Sequence, residues 1–175
     1  VGLAETSVSR AIEMTELVTQ FSRLDHEQDI HMLELKSLIT ELILDRDKIE
    51  RLGITVNIDI ADDIYIRMNR IHAHSLFRNI IYNAVDALED VSQRRIDVIA
   101  RRDGDEIRVE ISDTRPGIEP RIQEKIFSPF FSTKPGTGSG LGLAICRRIV
   151  DIYNGEISVV SNLDKGATFS ILLRP

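Results

Sequence analysis

A single cysteine, Cys146, leaves no partner for an internal disulfide and no Cys-rich zinc site. It lies in an apolar stretch, where the expected role is that of a small buried hydrophobe. Positive charge is also short. The 22 Lys plus Arg against 28 Asp plus Glu leave a net charge of −6, which argues against binding nucleic acid or an anionic membrane through bulk charge. An anionic ligand must then be held by a local site. No apolar run approaches the roughly 20 residues of a membrane span, and no basic segment leads an apolar one at the N-terminus. The expectation is a soluble, cytoplasmic chain with no membrane contact of its own. Internal repeats and low-complexity segments are absent too. At 175 residues the chain is long enough for one well-built core, burying roughly two thirds of the unfolded surface.

Over residues 7–24, Val8, Ala11, Met14, Val18, Phe21 and Leu24 recur at three or four and predict an amphipathic helix whose stripe needs a partner. A polar break follows, and a boundary near Glu27 divides residues 1–27 from 28–175. Ile30 and Met32 suggest a short strand, and residues 35–51 a second helix stopped by Gly53. Ile54, Val56, Ile58 and Ile60 alternate as a strand, as do Ile64, Ile66 and Met68 after Asp62-Asp63. A long helix covers 71–89. Two strands then meet at Asp103-Gly104, a hairpin pair. Residues 113–142 are rich in Gly, Pro and Ser, residues 143–153 read as a helix, and two strands close the chain. Strands in adjacent pairs among helices predict an α/β (α+β) two-layer sandwich, a mixed sheet packed on one layer of helices, preceded by the N-terminal helix.

Four of the ten glycines fall in Gly136-Thr137-Gly138-Ser139-Gly140-Leu141-Gly142-Leu143, just ahead of a helix. Successive backbone N–H groups and a helix N-terminus suit a phosphate chain, and a flexible linker is the alternative. The segment is not a P-loop, because it lacks a Gly-Lys-Ser/Thr ending. Asn79, Asn83 and Asp86 share one face of the long helix, as ligands of a hard cation or as a solvated face. Asp113 stands at a strand exit, where its carboxylate either reads a donor on a flat base or caps the next turn. Phe127, Phe130 and Phe131 are three of the six phenylalanines and form an apolar anchor for a loop.

In this order the pieces resemble the catalytic and ATP-binding domain of sensor histidine kinases, of the Bergerat fold shared with gyrase B, MutL and a heat-shock chaperone. The likeness covers residues 28–175. Residues 76–88 resemble the N box, 113–118 the first glycine box, 127–131 the F box, 136–143 the second glycine box, and Gly166-Ala167-Thr168-Phe169 the final glycine and threonine element. Asn-Ala-x-Asp-Ala and Phe-Ser-Thr-Lys lean toward the nitrogen-regulatory style of kinase.

The resemblance implies ATP or ADP with Mg²⁺ as ligands, with Asn83 on the metal and Asn79 beside it. It implies that Asp113 meets the adenine amine, with Gly117, Ile118 and Thr168 nearby. It further implies that Gly136, Gly138, Gly140, Leu141 and Gly142 wrap the triphosphate, that Lys134 offers charge to the terminal phosphates, and that Asp86, Phe127, Phe130 and Thr133 complete the nucleotide site. Asn79 and Lys134 are the expected catalytic pair. Gyrase-like members carry Glu at the position of Asn79, and an amide cannot activate water as that Glu does. Transfer to a protein acceptor is thus expected over ATP hydrolysis. The implied partners are a second copy through the dimerisation helices and a response-regulator receiver domain.

Two departures stand out. The first glycine of Asp-x-Gly-x-Gly is Arg115, which is expected to strain the turn if a positive φ is required, to intrude on the adenosine, or to meet a phosphate. No phosphoacceptor segment is recognisable. His26-Glu27 shares only its first pair, and His26, His31, His72 and His74 are expected to be ordinary polar residues. The resemblance therefore implies the donor part of a histidine protein kinase, either starting inside the dimerisation region or phosphorylating a separate chain. The alternatives are a degenerate domain that acts as a protein-interaction module, and a Bergerat-type ATPase.

Overall fold

The computed structural model describes Thr15, Thr19 and residues 29–44, 47–133, 140–162 and 165–174. Thr15 and Thr19 are helical, and the Thr19 hydroxyl donates to the Thr15 carbonyl at 2.7 Å. The rest of the expected N-terminal helix and its apolar stripe lie outside the described residues.

Strand β1 (Ile30–Glu34) leads into α1 (Leu35–Leu44) and α2 (Asp47–Leu52). The single helix expected over residues 35–51 is two. Gly53 ends the pair with φ 62°, its N–H on Glu50 and the Ile54 N–H on the Ile49 carbonyl, a left-handed close that suits glycine. Strands β2 (Thr55–Ile60) and β3 (Tyr65–Asn69) precede the long helix α3 (Arg70–Ala87). Asn69 caps α3, its side-chain oxygen accepting from the Ile71 N–H at 2.7 Å and the His72 N–H at 3.3 Å. Strands β4 (Arg95–Asp103) and β5 (Glu106–Asp113) form the expected hairpin, with Gly104 at φ 63° in its turn. The Gly/Pro-rich stretch contains a short helix α4 (Pro120–Gln123) and a 3-10 turn (Lys125–Phe127) that periodicity does not announce. Helix α5 (Gly142–Ile152) and strands β6 (Glu156–Ser161) and β7 (Ala167–Leu173) follow.

The main sheet has the order β2-β4-β5-β7-β6, with β2 parallel to β4 and the other neighbours antiparallel. The expectation of adjacent strand pairs holds for β4–β5 and β6–β7 and fails for β2 and β3. Strand β3 instead pairs antiparallel with β1, and β2 reaches its parallel partner across α3. A parallel pair needs such a crossover, whereas a hairpin does not.

Period-two alternation buries one face of the sheet. Ile96, Val98 and Ala100 of β4, Ile107, Val109 and Ile111 of β5, and Phe169, Ile171 and Leu173 of β7 all point inward. Helix α3 covers them with Leu76, Phe77, Ile80, Ile81 and Ala84, and it touches both α1 and α5. The result is the two-layer α/β sandwich. Cys146 fits as expected: it is fully buried, its Sγ donates to the Leu76 carbonyl at 3.5 Å, and burial pushes the thiol pKa up. Among the described residues no helix is long and apolar enough to cross a membrane.

Candidate functional site

Asp113 ends β5 with its side chain on the buried face, fully enclosed. Arg115, two residues on, turns back onto it. Its Nε donates to Oδ1 at 2.7 Å, its Nη2 to Oδ2 at 2.5 Å, and its backbone N–H to Oδ1 at 3.0 Å. The Arg115 side chain is only 9% exposed, and its guanidinium lies 5.6 Å from the Phe169 ring centre. Of the three expectations for Arg115, the geometry bears on the strained turn and shows the side chain folded back onto Asp113. Arg115 is not among the positive-φ residues, so the turn stores no strain there, and its charge meets Asp113.

The turn after Arg115 is pinned from the sheet. Gly117 takes φ 99°, which suits glycine. The Ile118 N–H donates to Ser161 Oγ at 2.8 Å, and that hydroxyl donates to the Gly166 carbonyl at 2.6 Å. Gln123 Nε2 donates to the carbonyls of Ile118 and Ser161, both at 2.8 Å. Ser161 and Gln123 are structural parts of the site that no motif pointed to. A Cβ on Gly166 would stand 2.1 Å from the Asp113 carbonyl oxygen, so the backbone can close over Asp113 only at a glycine.

Thr168 is not brought to Asp113. In the β5–β7 register it faces Ser112, with 2.9 Å between hydroxyls, on the opposite face of the sheet. The cross-strand neighbour of Asp113 is Ala167, which is 2% exposed. Counting back by two from the buried Phe169 would have found it in the sequence.

Helix α3 runs past this corner. The Asn83 carbonyl accepts a 3.4 Å contact from Arg115 Nη2, while Asn83 Nδ2 is buried with no hydrogen-bond partner. One turn earlier, about 6 Å along the axis, the Asn79 Oδ1 sits 3.3 Å from where a Cβ on Gly142 would be. Asn79 Nδ2 reaches Ser75 Oγ at 3.5 Å. Asp86 goes elsewhere: its carboxylate meets Lys48 of α2 at 2.6 Å, and Glu89 meets the same amine at 2.6 Å. That pairing raises the Lys48 pKa and places Asp86 in a link between α2 and α3. The three-residue face expected on α3 thus divides, with Asn79 and Asn83 toward the site and Asp86 toward α2.

At the other end, α5 begins at Leu141, whose side chain makes no cap hydrogen bond, and the helix dipole is positive there. Leu141 is buried at that end, and Gly140 (φ 68°) comes so close to Phe130 that a Cβ would lie 2.6 Å from the Phe130 carbonyl carbon. Phe130 itself has φ 64° and is exposed, whereas Phe127 packs edge-on to Phe169 at 6.3 Å under the Arg147 guanidinium. Thr133 is exposed. Lys134, Gly136 and Gly138 lie outside the described residues, as does His26. His31 is exposed beside Asp29, and His72 is buried against Tyr153. Among the described residues no cluster of three or more His, Cys, Asp or Glu could hold a metal.

These residues line α3 from Asp113 at one end to the N-terminus of α5 at the other. The model of the histidine kinase-, DNA gyrase B- and HSP90-like ATPases matches residues 68–175. The chain belongs to this ATPase family. It is 31% identical over 172 residues to the signal transduction histidine-protein kinase AtoS of Escherichia coli (strain K12), covering 95% of this chain and 27% of that one. It is 34% identical over 146 residues to the adaptive-response sensory kinase SasA of Prochlorococcus marinus (strain MIT 9303), covering 78% and 38%. The chain therefore spans less than two fifths of either relative. Among solved structures, the nucleotide-free catalytic domain of histidine kinase ThkA superposes with TM-score 0.74 at 28% identity, covering 84% of this chain and 96% of that domain. Full-length ShkA in complex with AMPPNP gives 0.78 at 25% identity, covering 96% and 36%.

Proposed function

We propose that this chain is the ATP-binding, phosphoryl-donating portion of a sensor histidine kinase. The supporting observation is the placement of Asp113, Asn83, Asn79 and the α5 N-terminus beside α3, in a chain of this ATPase family. On this reading the triphosphate lies at the α5 N-terminus, where backbone N–H groups and the helix dipole offset its charge. Gly140, Leu141 and Gly142 supply the close backbone, and Lys134, Gly136 and Gly138 belong to the same segment in the sequence.

The donor set fits a Mg²⁺ that arrives with phosphates. Such an ion takes few protein ligands, all oxygen, and Asn83 offers its side-chain amide oxygen, while the nitrogen of that amide is buried with no hydrogen-bond partner. Asn83 would hold it, and the ion would neutralise charge on the phosphate oxygens. Phosphoryl transfer then depends on positioning. A histidine nitrogen forms the new P–N bond to the γ-phosphorus as the bond to the ADP oxygen breaks. Asn79, an amide at the phosphate end, orients groups there without drawing a proton from water. In the whole protein the phosphoryl group passes on to an Asp of a receiver domain, and the acceptor His comes from a dimerisation hairpin. Residues 1–27 are the end of that hairpin, through which two copies pair, and the setting is the cytoplasm.

The test is autophosphorylation of the full-length protein with γ-labelled ATP. Alkali-stable, acid-labile label that is lost in Asn83→Ala supports the reading. Absence of label with steady phosphate release favours an ATPase. A second reading has an observation of its own: the Asp113 carboxylate is already covered by Arg115. If neither label nor phosphate release appears, the domain acts through its protein surfaces.

A further inference from the structure

On the nucleotide-site reading the Asp113 carboxylate is the acceptor that meets the base, and the chain supplies its own donors to it. Three N–H groups of Arg115 take three of the roughly four lone-pair directions a carboxylate offers. The carboxylate has no solvent exposure left. An adenine amine arriving there is a neutral donor competing with a charge-assisted fork, and such forks are roughly twice as strong as neutral hydrogen bonds. The fork is also tethered two residues away, so it returns without a diffusional search.

Masking changes what the site rejects as well as what it accepts. A bare carboxylate favours a base with an amine at that edge and repels one with a carbonyl there, as in guanine. With a guanidinium laid over it, both the attraction and the repulsion are muted. On that reading the phosphate end is Asn79, Gly140, Leu141 and Gly142, whereas the Arg115 side chain bonds to Asp113 and the Asn83 carbonyl.

We propose that Arg115 masks the base-reading carboxylate and thereby sets the nucleotide selectivity of this chain, levelling adenine against guanine nucleotides. The inference rests on the nucleotide-site reading above. It concerns only base selectivity, so the two can fail separately.

The experiment is calorimetric titration of the chain with Mg-ATP, Mg-GTP and Mg-tripolyphosphate, the last carrying no base. Arg115→Gly and Arg115→Gln are titrated alongside, because either alone could disturb the buried Asp113. A circular-dichroism melt confirms that each is folded. Expected are ATP and GTP affinities within about threefold in the wild type, and a gain of about tenfold or more for ATP but not GTP in a folded variant. A wild-type preference for ATP over GTP of about tenfold or more overturns the proposal, as do folded variants that keep wild-type affinities. Failure of every probe to bind wild type and both variants overturns the nucleotide-site reading and the proposal together.

Discussion

Arg115 and Asp113 form a buried, two-point ion pair across a single intervening residue, with a third hydrogen bond from the Arg115 backbone. A pair like this is not strongly stabilising in itself, because both charges gave up water to form it. Removing one partner is what costs.

Asp113→Ala therefore leaves a buried guanidinium unpaired and is expected to destabilise the domain by about 3–5 kcal/mol in urea unfolding. The double variant Asp113→Asn with Arg115→Gln removes both charges, so the effects of its two single changes are expected to miss additivity by more than about 1 kcal/mol. Additive effects would mean that the pair is not formed in solution.

The glycines divide by what a side chain would meet. Gly104→Ala keeps φ 63° but meets nothing within 4 Å, so it is expected to cost about 1 kcal/mol. Gly166→Ala drives a methyl to 2.1 Å from the Asp113 carbonyl oxygen and is expected to cost more than twice that. Thermal melts of the two variants rank them, and an equal loss would contradict the close approach.

Cys146 links burial to pH. Its thiol pKa lies above the ordinary 9.0 because burial disfavours the thiolate. The unfolded chain, not the folded one, therefore loses that proton first. The contribution is fully present below pH 9 and is lost as pH rises toward the folded value. Denaturation midpoints across pH 8–10.5 should fall less steeply in Cys146→Ala than in the wild type. A thiol reagent should label the wild type only as fast as the domain opens.

Much of this was legible in the sequence because it obeys local rules. Gly53 stops a helix, Asp103-Gly104 turns a hairpin, and the alternation of β4, β5 and β7 fixes the buried face. What was not legible depends on pairing at a distance. Nothing local says that β3 leaves the main sheet for β1, or that Asp86 turns to Lys48. Thr168 was misplaced by reading a motif without its pleat: register sets Ala167 opposite Asp113. For Arg115 the sequence raised strain, intrusion and phosphate contact together, and only the three-dimensional structure shows the side chain folded back onto Asp113.

The most direct test of the account is calorimetric titration of Mg-ADP and Mg-ATP into the chain and into Asn83→Ala. Asn83 Nδ2 has no hydrogen-bond partner, so the variant should melt within a few degrees of the wild type. The account predicts that the wild type binds both nucleotides and that the variant loses about tenfold or more in affinity. Equal affinity in a folded Asn83→Ala would contradict it.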